Sequence, residues 1–143
     1  GMDSAWLRQV FASLRFSRDD KPGCEKEAKA VQKRLAGHGV QMHIVDCLAG
    51  EKVRGKIQAT MQRCSHFIAF GSADYGEVTP TAGCTADEVD LWLNSVRRGQ
   101  TERNIIPINM LKRGERHEHD AARFIFERGD MTLYWERGST MPA

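Results

Sequence analysis

The sequence predicts an α/β domain in three layers, built on a five-stranded parallel sheet. Three observations predict it. Apolar, strand-like runs alternate with segments of helical periodicity along the chain. The run His66-Phe67-Ile68-Ala69-Phe70 is almost continuously apolar, as a central parallel strand buried on both faces requires. The 143 residues, 41% hydrophobic and 28% charged, suit one domain with one core and argue against disorder.

Gln9 to Phe16 (QVFASLRF) reads as strand one, and the polar, Pro-Gly-containing stretch Ser17 to Gly23 as a loop. Glu25 to Gly37 carries Ala28, Val31 and Leu35 at helical spacing, with Gly37 and Gly39 to end it. Val40 to Val45 is strand two, and Asp46 to Glu51 a short loop. Val53, Ile57, Met61 and Cys64 mark one face of helix two. His66 to Phe70 is strand three, followed by a longer loop from Ser72 to Cys84 rich in Gly, Thr and Pro. Helix three begins at Thr85, with Val89, Trp92 and Val96 as its apolar face. Asn104 to Met110 is strand four, where Pro107 lacks a ladder donor and predicts a bulge. Ala121 to Arg128 is helix four and Met131 to Trp135 strand five.

Right-handed crossovers then favour the strand order 2-1-3-4-5, a flavodoxin-like arrangement. In such a sheet the ligand crevice lies where the winding reverses, at the carboxyl ends of strands one and three. That places the site in loops Ser17–Gly23 and Ser72–Cys84 and at the start of helix three.

Charge and composition exclude several classes. The net charge is +2, from 21 basic and 19 acidic residues. Lys33-Arg34, Arg97-Arg98 and Lys112-Arg113 are scattered pairs, so no concentrated basic face for nucleic acid is expected. No stretch approaches the roughly 20 apolar residues of a membrane span. Cys24, Cys47, Cys64 and Cys84 form no CxxC or CxxH pair, which favours free thiols in a reducing, cytoplasmic setting. Gly1-Met2 resembles a tag scar before a start methionine. Residues 1–143 therefore read as a single domain, compatible with a fragment of a longer protein.

Glu88 is the foremost acidic candidate, because it falls in the first turn of helix three at the expected crevice. The same residues also read as a capping box, with Thr85 capping the helix and Glu88 reaching back to an orphan amide. His117-Glu118-His119 suggests no metal site, since residues two apart share no helix face and no third ligand follows. There is no GxGxxG or GxxxxGK[ST] phosphate loop. A phospho-acceptor receiver domain would share the fold, with Asp19-Asp20 and Lys112 as matching residues. Its acceptor aspartate is missing, because strand three ends Phe70-Gly71-Ser72.

Three segments carry a more specific likeness. Val10 to Phe16 is similar to the V-F-x-S opening strand of Toll/interleukin receptor (TIR) domains. Asp46 to Ile57, with Gly50 ahead of the helix that bears Ile57, resembles the segment around that family's BB loop. Ser72-Ala73-Asp74-Tyr75, then Cys84 and Glu88, resembles the motif S-x-x-Y…C-x-x-x-E that opens its third helix. The likeness runs from Val10 to about Met110.

The resemblance implies one of two functions. One is cleavage of NAD⁺ at the nicotinamide–ribose bond in signalling or defence, with NAD⁺ as substrate and no further cofactor. The other is a non-catalytic scaffold that assembles signalling complexes. In the first, Glu88 matches the catalytic glutamate. Arg15 and Phe16 match substrate contacts at the end of strand one, and Ser72 and Tyr75 belong to the same motif. Trp92, one turn after Glu88, is a candidate aromatic wall as well as a core residue. Either function implies self-association through surfaces that include Asp46–Glu51. A nucleoside deoxyribosyltransferase-like enzyme, with a glutamate nucleophile on a similar fold, is a third alternative.

The chemistry explains how a single carboxylate suffices. Most glycosidases need a second acid to protonate the leaving oxygen. Nicotinamide departs as a neutral molecule from a cationic ring and needs no proton. What remains is an oxocarbenium-like centre that an ionised glutamate stabilises or attacks. An unperturbed glutamate, with a pKa of about 4.3, is already ionised at neutral pH.

Overall fold

Residues 7–17, 23–45, 53–77, 85–94, 105–112, 114–127 and 132–142 are described by a computed structural model. Within them, five strands form one parallel sheet: β1 (Gln9–Ser13), β2 (Gln41–Ile44), β3 (His66–Gly71), β4 (Ile105–Asn109) and β5 (Leu133–Tyr134). The order is β2-β1-β3-β4-β5, the flavodoxin-like arrangement. Four helices separate them: α1 (Glu25–Ala36), α2 (Val53–Gln62), α3 (Thr85–Leu93) and α4 (Asp120–Phe126). None of the described helices is long and apolar enough to cross a membrane.

Successive side chains of a strand point to opposite faces, so β1 and β3 feed two separate cores. Phe11, Phe67 and Ala69 pack with Ile57 and Met61 of α2, Val89 and Trp92 of α3, and Ala122, Ile125 and Phe126 of α4. Val10, Ala12, Ile68 and Phe70 pack on the other face with Met42, Cys24, Ala28 of α1 and Trp135. Of the described helices, three thus cover one face and α1 the other. The second face is completed by the C-terminal segment, where Met141 packs against the same core and the Pro142 carbonyl accepts from Arg34 Nη1.

β1 is shorter than the sequence suggests. Its pairing stops at Ala12↔Ile44 and Ser13↔Ala69, and the Arg15 carbonyl then accepts from the Cys24 N–H at the start of α1. The chain leaves the sheet there because its backbone has found a helix terminus as partner. The loop is closed again at Ser17, whose hydroxyl accepts from Gly23 N–H and donates to Glu25 Oε1.

The bulge expected at Pro107 is absent. The β3–β4 register runs unbroken from Phe67↔Ile105 through Ala69↔Pro107 to Gly71↔Asn109. The Met110 N–H donates to the Gly71 carbonyl, whereas the Asn109 carbonyl accepts from Trp135. Even-numbered residues therefore face β3 and odd-numbered ones face β5. The ring nitrogen of Pro107 points to the β5 side, where pairing begins only at Ile108↔Leu133. No ladder bond is lost, so none needs to be avoided by a bulge.

Candidate active site

The reversal of winding lies between β1 and β3, and a buried polar cluster sits at its carboxyl end. Ser13 is the last residue of β1. Tyr75 lies in the turn after β3, where Tyr75 N–H donates to the Ser72 carbonyl and Glu77 N–H to the Asp74 carbonyl. Gly76 closes that turn with φ +86°, and its N–H donates to Thr85 Oγ1 at 2.7 Å. A Cβ at Gly76 would come within 2.8 Å of the Ala122 nitrogen, so both conformation and space call for glycine. The turn after β3 is thus pinned to the first residue of α3, and one helical turn later stands Glu88.

Ser13 Oγ donates to Glu88 Oε1 at 2.8 Å and lies 2.6 Å from Tyr75 Oη. A serine hydroxyl has one proton, and here it is committed to the carboxylate. Tyr75 is therefore the donor to Ser13, and the order of donation runs Tyr75 to Ser13 to Glu88. Ser13 and Tyr75 are fully buried and Glu88 is 4% exposed. Burial pushes the Tyr75 phenol well above its ordinary pKa, and the Glu88 charge adds to this, against a smaller opposing effect of the Ser13 bond. Tyr75 consequently keeps its proton and ends the chain as a donor.

These bonds alter the capping reading. Thr85 is the first residue of α3, its hydroxyl takes the Gly76 N–H, and one Glu88 oxygen is turned to β1. The pair secures the helix to the sheet and to the preceding turn rather than closing only on its own first turn.

The other residues expected at the site are distributed around it. Arg15 forms an ion pair with Glu77 and is only 12% exposed. Phe16 is half-buried and lines a cavity of about 380 Å³ with Glu25, Lys29, Gln32 and Ile44, on the α1 side. Ser72 is buried and borders a cavity of about 450 Å³ together with Lys112 and Arg137. Trp92 is fully buried, its ring 5.4 Å from that of Phe67, and packs in the core instead of walling a crevice. Tyr75 is likewise enclosed, edge-on to Phe126 at 5.6 Å. Residues 18–22 and 78–84, the remainder of the two crevice loops, lie outside the described residues. So do Asp46–Glu51, Cys47, Cys84, Val96 and the Arg97-Arg98 pair.

Sequence reasoning did not single out Ser13 as a site residue, although it is the serine of the V-F-x-S run. It also did not foresee that Asp74, Glu77 and His119 converge, with their potential ligand atoms within 4.8 Å of one another. His119 Nε2 lies 3.6 Å from Asp74 Oδ1, and the Arg15 guanidinium already neutralises Glu77. A third cavity, of about 970 Å³, opens at the ends of β4 and β5 beside Asn109, Lys112, Arg116, His117 and Tyr134. Glu88 lines none of these three cavities.

The two free cysteines among the described residues, Cys24 and Cys64, are buried. Burial pushes the Cys24 thiol up to about 11, so it is no nucleophile at neutral pH.

No protein-family model matches this chain, and no curated protein matches it either.

Proposed function

We propose that this domain is a TIR-type NAD⁺ glycohydrolase, with Glu88 as the carboxylate that faces the ribosyl centre. The observation that carries the reading is the position of Glu88. It is an acidic residue on the first turn of α3, next to the end of β1, at the reversal of winding where such sheets bind ligands. The S-x-x-Y…E spacing from Ser72 to Glu88 agrees with it. A carboxylate in a nearly water-free position acts strongly on developing positive charge, because the surrounding medium screens it little. Arg15, beside the same strand end, offers a cation for a phosphate group once Glu77 is displaced from it.

The test is release of nicotinamide from NAD⁺ by the purified chain. Specific activity is expected to rise with protein concentration, since the proposed active form is self-associated. Glu88→Gln is expected to lower the rate by on the order of a hundredfold or more, the loss typical of removing one transition-state electrostatic partner. Wild-type activity in Glu88→Gln removes Glu88 from the mechanism.

A specific observation also supports the scaffold alternative. Glu88 is buried and hydrogen-bonded to Ser13, so it serves as a strut between β1 and α3 whether or not it reacts. If the concentrated or artificially clustered wild-type chain releases no nicotinamide, that strut role and an assembly function stand in place of catalysis.

A further inference from the structure

We infer that Ser13 and Tyr75 are positioning residues for Glu88, clamping its carboxylate in one orientation; the inference rests on the reading of Glu88 as the reacting carboxylate. Three separate segments meet in this clamp: the end of β1, the turn after β3 and the first turn of α3.

The last torsion of a glutamate side chain is broad, so a carboxylate left to itself samples many planes. Here Oε1 is held by the Ser13 hydroxyl at 2.8 Å, and Ser13 is in turn held by Tyr75 at 2.6 Å. Both anchors are packed in place. Ser13 is fixed in the β1–β3 ladder opposite Ala69, and the Tyr75 ring is fully enclosed against Phe126. Because Tyr75 is buried and retains its proton, the chain has no outlet for protons at its far end. It acts as a clamp and not as a proton relay. A hydrogen bond donated to the ionised form also favours that form, which the proposed chemistry requires.

Two readouts test this in the full chain. The first is turnover. Ser13→Ala is expected to lower kcat by on the order of tenfold or more through misplacement of the carboxylate, with KM little changed. Tyr75→Phe is expected to lower it less. Combined with Ser13→Ala it should cause no further loss, because Tyr75 acts only through Ser13. Independent, multiplying losses overturn the clamp.

The second readout needs no turnover. The Glu88 carboxyl carbon, observed by NMR in chain labelled at glutamate Cδ and assigned by its loss in Glu88→Gln, should titrate at higher pH in Ser13→Ala than in wild type. If Ser13→Ala does not fold, the same upward movement, smaller in size, is expected in Tyr75→Phe. An unmoved titration overturns the proposal whatever the activity. A moved titration in a chain that never releases nicotinamide leaves the clamp standing and removes the NAD⁺ reading instead.

Discussion

Glu88 is where chemistry and architecture are hardest to separate, and the structure shows which substitution separates them. Its Oε1 accepts from Ser13, and Ser13 accepts from Tyr75, all three nearly or fully buried. Glu88→Gln keeps a side-chain oxygen at that point, so both hydroxyls retain their order of donation. Glu88→Ala deletes the acceptor and leaves one of the two hydroxyl protons of Ser13 and Tyr75 without a partner in the core, at a cost of about 1–3 kcal/mol for an unsatisfied buried group. We expect urea unfolding to show Glu88→Ala less stable by that amount and Glu88→Gln close to wild type. Equal stabilities of the alanine and glutamine variants would mean that the Ser13 bond contributes nothing. The position of Glu88 in the fold was legible in the sequence, because an acidic residue in the first turn of the helix after a buried strand falls beside the reversal of winding by topology alone. Ser13 was not singled out. A serine within an apolar strand reads as filler until its partners, 62 and 75 residues away, are brought beside it.

At the level of elements, the close approach of β3 and α4 depends on one glycine. A Cβ at Gly71 would lie 2.4 Å from the Phe126 Cζ atom. The ring is hemmed in on two sides. Tyr75 meets it edge-on at 5.6 Å and His117 stacks on it at 4.5 Å. Gly71→Ala is therefore expected to destabilise by about 1–3 kcal/mol, the range for overpacking a well-filled core. Denaturant unfolding checks this, and Gly71→Ala paired with Phe126→Leu should recover part of the loss. The elements themselves were largely readable, since strand alternation and helical spacing are local signals. The consequences of pairing were not. Whether Pro107 disrupts β4 depends on which neighbour its nitrogen faces, and that is decided by β5, a strand of two residues. The three-to-one division of helices between the faces, and the meeting of Asp74 and Glu77 with His119, likewise arise from packing between distant segments.

For the molecule as a whole, burial of titratable groups on both sides of the sheet sets the pH range of stability. Burial lowers the pKa of His43 on β2, His66 on β3 and His117 before α4, each below the ordinary 6.5. His117 is the most enclosed, 2% exposed, with Nε2 donating to Asn109 Oδ1 at 3.2 Å. An unfolded chain protonates these rings near pH 6.5 while the native chain resists, so the unfolded state binds more protons and stability falls as pH drops below that value. The alkaline side has the opposite sign. Burial holds the Cys24 thiol protonated from its ordinary 9.0 up to about 11, and the Tyr75 phenol is raised well above 10.0. Between those values the native state keeps protons that the unfolded state has released, and stability falls as pH rises. Each group that differs fully between the states changes stability by up to about 1.4 kcal/mol per pH unit. The expected profile is a plateau from about pH 7 to about pH 9 with a decline on either side. Urea midpoints measured from acid to alkaline pH check it, and Cys24→Ala should make the alkaline limb shallower, leaving the part due to Tyr75, with the acid limb unchanged. A midpoint that keeps rising past pH 9 would show that the Cys24 and Tyr75 protons are not held by the fold, and with them would go the buried, proton-retaining Tyr75 on which the Glu88 clamp depends.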